Sequence, residues 1–149
     1  MRAIVAPGQG SQTPGMLSSW LAEPHFVTLL TEWGEAAGVD LLHLGTEADA
    51  STIQDTAVAQ PLIVASALLA HRALGSPMPD VVAGHSVGEL AALAVAGVIT
   101  PAEAVTLAGV RGRAMARAAA ITPTAMSAVV GGVREDVLAA IESSGASVA

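Results

Sequence analysis

The stretch Val81-Val82-Ala83-Gly84-His85-Ser86-Val87-Gly88-Glu89-Leu90 constrains this chain more than any other. Two β-branched residues follow Pro77, Pro79 and Asp80, which suits a strand beginning at Val81. Leu90 to Ala96 is almost wholly apolar and rich in alanine, which predicts a buried helix, and Gly97 is placed to end it. Between them Gly84 to Gly88 spells G-x-S-x-G. With a strand before it and a helix after it, that pattern sets the serine on a sharp, strained turn with its hydroxyl lifted out of the core. The glycines let strand and helix pass closely. The Val87 amide then lies at a helix N-terminus, where an unpaired N–H and the helix dipole favour negative charge. Two readings stand at this point. Ser86 is a nucleophile beside half an oxyanion hole, or it is part of a structural turn and caps the following helix. A chain with 15 glycines can hold the pattern for either reason.

The rest of the composition narrows the chemistry. A length of 149 residues suffices for one ordinary domain with a real core. Hydrophobic residues make up 52% and aromatics only 2%, so that core is built from Ala, Val and Leu. Net charge is −7 and all six basic residues are Arg, which argues against a nucleic-acid surface or a polybasic membrane patch. The absence of Lys excludes Schiff-base chemistry, and the absence of Cys excludes a thiol nucleophile and disulfides. His25, His43, His71 and His85 lack ligand spacing, so no metal site is expected. The uncharged run Thr56 to Ala70 is short and interrupted by Gln60 and Pro61, and the N-terminus reaches Pro7-Gly8 before any signal-peptide core develops. The expectation is a soluble, cytoplasmic protein without a membrane span.

In chain order, Arg2 to Ala6 predicts a first strand that runs into the loop Pro7-Gly8-Gln9-Gly10-Ser11-Gln12. Its glycines can turn backbone N–H groups toward a ligand, although it lacks the G-K-[ST] ending of a phosphate loop and an ordinary connector reads the same way. Phe26, Leu29, Leu30 and Trp33 share one face of a helix over Pro24 to Ala37 that stops at Gly38. Leu41 to Thr56 is mixed and polar, expected as loop with a short turn. A long buried helix over Val58 to Leu74 keeps Pro61 in its first turn and so places Gln60 at its N-terminus, near a cleft.

Thr100, Pro101 and Glu103 compose a capping box for a helix running to about Ala119. Leu107, Ala108, Arg111, Met115 and Ala118 share one face of it, whereas Arg113 and Arg117 fall on another, solvated one. A guanidinium in an apolar stripe needs a partner. Glu89 as an internal ion pair and a substrate carboxylate gripped bidentately both meet that need. Met126 to Val130 predicts a strand, Arg134 to Ser144 a helix amphipathic through Val137, Leu138 and Ile141, and Ser147 to Ala149 the start of something extended. Thr122-Pro123-Thr124 marks a boundary between residues 1–122 and a small second unit over 123–149.

Taken together, the Pro7–Gln12 loop, Gln60-Pro61, Gly84-His85-Ser86-Val87-Gly88-Glu89, and Val110-Arg111-Gly112 with Met115 resemble the malonyl-CoA:acyl-carrier-protein transacylase family. Order and spacing fit as well, Arg111 following Ser86 by 25 residues. The resemblance implies a parallel-sheet, α/β-hydrolase-like acyltransferase core followed by the first half of a ferredoxin-like subdomain. It implies Ser86 as the nucleophile that carries malonyl from malonyl-CoA to the phosphopantetheine thiol of acyl carrier protein in fatty-acid synthesis. Backbone amides of Gln9 and Val87 would form the oxyanion hole, with Arg111, Gln60 and Met115 binding substrate. No cofactor beyond the acyl-CoA substrate is implied. The family's general-base histidine lies well C-terminal of the arginine, so this chain is expected to correspond to an N-terminal portion, weak in transfer. Two other readings remain: a serine hydrolase or patatin-like lipase with the same elbow, and a non-catalytic binder of acyl-CoA or carrier protein.

Overall fold

The computed structural model describes residues 1–121 and 129–145. Two short strands, β1 (Ala3–Ala6) and β2 (Val81–Gly84), pair in parallel from Ala3 opposite Val81 to Ala6 opposite Gly84. Between them the chain makes the crossover that parallel pairing demands: a 3₁₀ turn at Ser18–Ala22 and the helices α1 (Pro24–Ala37), α2 (Leu41–Thr46), α3 (Ala50–Gln54) and α4 (Thr56–Ala73). After β2 follow α5 (Gly88–Val95), α6 (Pro101–Ile121) and α7 (Arg134–Ser144). The described fold is mostly helical around a small parallel sheet.

α4 is the helix on which the others pack. Ala59 to Ala65, Leu68 and Leu69 are all buried in it, and each fully buried Leu or Ile contributes roughly 1.5–3 kcal/mol by leaving water. α6 packs against it and against α1, burying Ala104, Val105, Ala108, Gly109 and Gly112, with Gly112 turned to α4 and Gly109 to Ala37 of α1. At Gly112 a Cβ would stand 2.6 Å from the Thr56 carbonyl oxygen, so only glycine permits this approach. The expected stripe of Leu107, Arg111 and Met115 is therefore corrected. Leu107 and Met115 remain exposed, and of that face Ala108 alone is buried, because close helix packing selects the small residues rather than the large ones.

Several other expectations change. α4 begins at Thr56 rather than Val58, because the Asp55 side chain accepts from the Ala57 N–H at 2.8 Å and caps an earlier start. Pro61 thus lies inside the helix, beyond its first turn, where it removes the bond that the Ala57 carbonyl would otherwise accept. Leu41 to Thr56 is not loop. Asp40 and Asp49 each cap a short helix, accepting from His43 N–H at 3.0 Å and Thr52 N–H at 2.8 Å. Arg113 is not left to solvent: its Nη1 donates to the Ala37 carbonyl at the end of α1. Val129 and Val130 carry no strand. The expectations at Thr122 to Thr124, Met126 to Ala128 and Ser147 to Ala149 lie outside the described residues.

Elsewhere sequence and structure agree closely. α1 spans Pro24–Ala37, buries Phe26, Leu30 and Trp33, and stops at Gly38 in the left-handed conformation. α7 spans Arg134–Ser144 and ends at a left-handed Gly145, burying none of its residues. Among the described residues no helix is long and apolar enough to cross a membrane.

Candidate active site

β2 ends at Gly84, and His85 is tied to β1 by its N–H, which donates to the Ala6 carbonyl at 3.0 Å. The next residue, Ser86, has φ 54°, a left-handed backbone that a serine adopts only under constraint. Val87, buried, is the N-cap of α5. The constraint comes from the two glycines. A Cβ on Gly84 would run into the backbone of Gly88 and Glu89, and one on Gly88 into the Ala6 carbonyl and, at 2.5 Å, the Pro7 carbonyl oxygen. Strand, turn and helix can pass only because both positions lack a side chain. The result is an exposed Ser86 held in one place.

The turn after β2 and the loop after β1 each carry a backbone amide with no acceptor among the described residues. The N–H groups of Gly88, Glu89 and Leu90 are taken by the carbonyls of His85, Ser86 and Val87. The Val87 amide has no acceptor among the described residues, as befits the start of a helix. The Gln9 amide is likewise without one among those residues. Gln9 sits in the loop after β1, which is latched to the α3–α4 junction. Gln9 Nε2 donates to Thr56 Oγ1 at 3.1 Å, and Gln12 Nε2 to the Ile53 carbonyl at 3.1 Å, while Gln12 Oε1 accepts from Gly10 N–H at 2.8 Å. The loop is thus a shaped element rather than a slack connector.

The third component arrives from α6. Arg111, half-buried, donates from Nη2 to Ser86 Oγ at 3.2 Å and from Nη1 to Gln60 Oε1 at 2.6 Å. Gln60, fully buried on α4, donates from Nε2 to the Met115 sulfur at 3.2 Å. Ser86, Arg111, Gln60 and Met115 therefore form one connected chain that links the elbow, α6 and α4. The internal ion pair with Glu89 is not made, and Glu89 is exposed. The ion pairs among the described residues join the N-terminus to Asp80, His25 to Glu23 and His43 to Glu47, none of which involves an arginine.

None of the four histidines bonds Ser86. His71 Nε2 lies 3.1 Å from the Pro77 carbonyl oxygen, His25 and His43 sit beside their acids, and His85 packs its ring against Gly8. An apolar cavity of about 340 Å³ flanks β1, lined by residues such as Val5, Ala67 and His71, and excludes Ser86, Gln60 and Arg111. Among the described residues the arrangement offers a hydroxyl on Ser86, a cation at Arg111 without a carboxylate partner, and backbone N–H groups on Gln9 and Val87 without an acceptor. That set suits attack on an acyl carbon whose far end is anionic. The Gln60–Met115 contact and the Thr56 latch on Gln9 are not legible in the sequence. The one hint there is that Met115 lies one helical turn after Arg111.

The model of the acyl transferase domain family matches residues 4–148. A malonyl CoA-acyl carrier protein transacylase of Mycobacterium tuberculosis is 54% identical over 147 residues, covering 95% of this chain and 49% of the relative. The Escherichia coli protein of that name is 38% identical over 133 residues, covering 87% and 43%. A crystal structure of MCAT from Mycobacterium tuberculosis superposes with a TM-score of 0.85 at 55% identity, over 95% of this chain and 48% of that one. The chain spans about half the length of the curated relatives it matches.

Proposed function

This chain belongs to the acyl transferase domain family, and on that premise we propose that it carries the acylation half-site of a malonyl transfer from malonyl-CoA to acyl carrier protein in fatty-acid synthesis. One observation carries the reading: Arg111, with no carboxylate partner among the described residues, reaches the hydroxyl of a strained, exposed Ser86. A guanidinium so placed has its counter-ion missing, and an acyl group ending in a free carboxylate supplies it. A simple serine esterase has no use for that cation, which disfavours the hydrolase reading.

In the step we infer, Ser86 Oγ attacks the thioester carbonyl and loses its proton. The developing oxyanion is met by the amides of Gln9 and Val87. The C–S bond breaks, CoA leaves as its thiol, and malonyl remains as an ester on Ser86. The phosphopantetheine thiol of the carrier protein then attacks that ester and restores the serine. Arg111 grips the malonyl carboxylate throughout, and Gln60, which donates in turn to Met115, holds Arg111. No cofactor enters. A cytoplasmic setting accords with this reading. We further assign residues 1–122 to an α/β-hydrolase-like core and 123–149 to part of a ferredoxin-like unit, supported by the failure of α7 to bury any residue.

Because no histidine bonds Ser86, these 149 residues should acylate slowly and turn over poorly, since losing the base of a triad costs several orders of magnitude. Intact-protein mass spectrometry after prolonged incubation with malonyl-CoA tests the proposal. One malonyl ester per chain, mapped to Ser86 and absent from Ser86→Ala, is expected. An adduct that persists in Ser86→Ala would refute the assignment of the nucleophile, and rapid multiple turnover onto carrier protein would refute the account of the missing base.

A further inference from the structure

The Gln9 amide can serve a developing oxyanion well only if the peptide plane that carries it is fixed before the reaction. That plane is shared with Gly8. A trans peptide is flat and holds its C=O and N–H on opposite sides, and no cis bond occurs among the described residues. Whatever grips the Gly8 carbonyl therefore sets where the Gln9 N–H points. That grip is Ser11, whose hydroxyl donates to the Gly8 carbonyl at 2.9 Å. The next plane, between Gln9 and Gly10, is held as well, by the Gly10 N–H donating to Gln12 Oε1 at 2.8 Å. Behind Gly8 stands the ring of His85, which occupies the space that a Cβ there would need and brings this plane beside the residue preceding Ser86. Gln9 is thus fixed on both sides, while its own N–H keeps no acceptor among the described residues.

We propose that Ser11 is a positioning residue for acyl transfer: by binding the Gly8 carbonyl, its hydroxyl aims the Gln9 amide as an oxyanion donor, acting through Gln9 rather than on the substrate itself. The inference rests on the acyl-transfer reading above and adds to it what aims one half of the oxyanion hole. Without that hydroxyl the plane can turn about the bonds of Gly8, since glycine has the widest backbone freedom. A donor aimed in advance acts on charge that builds only as the thioester carbonyl is attacked. Its misalignment therefore falls on the rate of acylation and not on ground-state binding.

The test follows malonyl ester formation on Ser86 of the 149-residue chain by intact-protein mass spectrometry, over time and across malonyl-CoA concentrations. Ser11→Ala should lower the limiting rate about tenfold, short of the roughly hundredfold or more lost with a whole oxyanion donor, and leave the half-saturating concentration unchanged. Ser11→Thr, which keeps the hydroxyl, should restore most of that rate. The melting temperature of Ser11→Ala should stay at the parent value. An unchanged rate in Ser11→Ala overturns the inference. So does a rate loss accompanied by a lower melting temperature or a raised half-saturating concentration, which would make Ser11 a staple of the loop alone. Each of these leaves the proposed function standing. A parent chain that forms no ester on Ser86 overturns both.

Discussion

Ser86 and Arg111 are 25 positions apart in sequence and 3.2 Å apart in space. The strained turn at Ser86 is legible in the sequence, because G-x-S-x-G between a β-branched pair and an alanine-rich helix leaves the backbone few ways to turn. The direction of Arg111 is not. Helix periodicity places it in a stripe with Leu107 and Met115, both of which are exposed, and leaves Glu89 and a substrate anion as equal partners. The direction of Arg111 depends on which face of α6 meets its neighbours, and that is set by Gly112 against α4 and Gly109 against α1, whose side chains are absent and whose signal is invisible to a hydrophobic pattern. Arg113 escapes the pattern for the same reason, since its partner is a main-chain carbonyl of α1. At the elbow the structural demand is sharp. Gly88→Ala would press a Cβ against the carbonyls of Ala6 and Pro7. We expect it to cost about 1–3 kcal/mol or more, the range for forced overpacking, read as a lower urea midpoint at unchanged slope.

At the scale of elements, helix boundaries follow their caps. Thr100 and Glu103 form the box read from the sequence: Glu103 Oε2 accepts from the Thr100 N–H at 2.7 Å, and Thr100 Oγ1 accepts from the Glu103 N–H at 3.2 Å. The Thr100 backbone and hydroxyl bonds hold the Glu103 carboxyl below its ordinary value of 4.5. A pKa lowered on folding adds stability above the unfolded value, and that stability is lost as pH falls through the folded value. Glu103→Gln should therefore melt below the parent chain at neutral pH, and the gap should close as the solution is acidified past 4.5. Thermal unfolding followed by circular dichroism across that range checks it; a gap that persists in acid would show that the cap does not act through its charge. Asp40, Asp49 and Asp55 cap α2, α3 and α4 in like manner, yet the polar stretch around them reads as loop. The first two of those helices are too short to display a period, so their caps are the sole sequence signal.

On the scale of the whole molecule, α1, α4 and the two strands are legible because each carries an apolar run or face, and α6 because of its capping box. The sheet's completeness is not. Parallel strands are ordinarily covered on both faces, whereas here Val5 is 73% exposed and Val81 50%. With Leu74 and Met78 also exposed, and an apolar cavity of about 340 Å³ beside β1, the chain should bind 8-anilinonaphthalene-1-sulfonate strongly while keeping native helix content by circular dichroism. Dye fluorescence no higher than that of a well-covered globular domain would contradict this. The two-strand sheet nevertheless delivers the loop after β1 and the elbow after β2 to the same end of the fold, where α6 brings the cation. The most direct test of that convergence is a competition. The chain is incubated with equal malonyl-CoA and acetyl-CoA, and the ester on Ser86 is identified by mass spectrometry for the parent chain and for Arg111→Ala. The account predicts malonyl on the parent serine by roughly tenfold or more, the worth of a charge-assisted contact, and near equality in Arg111→Ala. Equal esters on the parent chain, or an unchanged malonyl excess in Arg111→Ala, would contradict it.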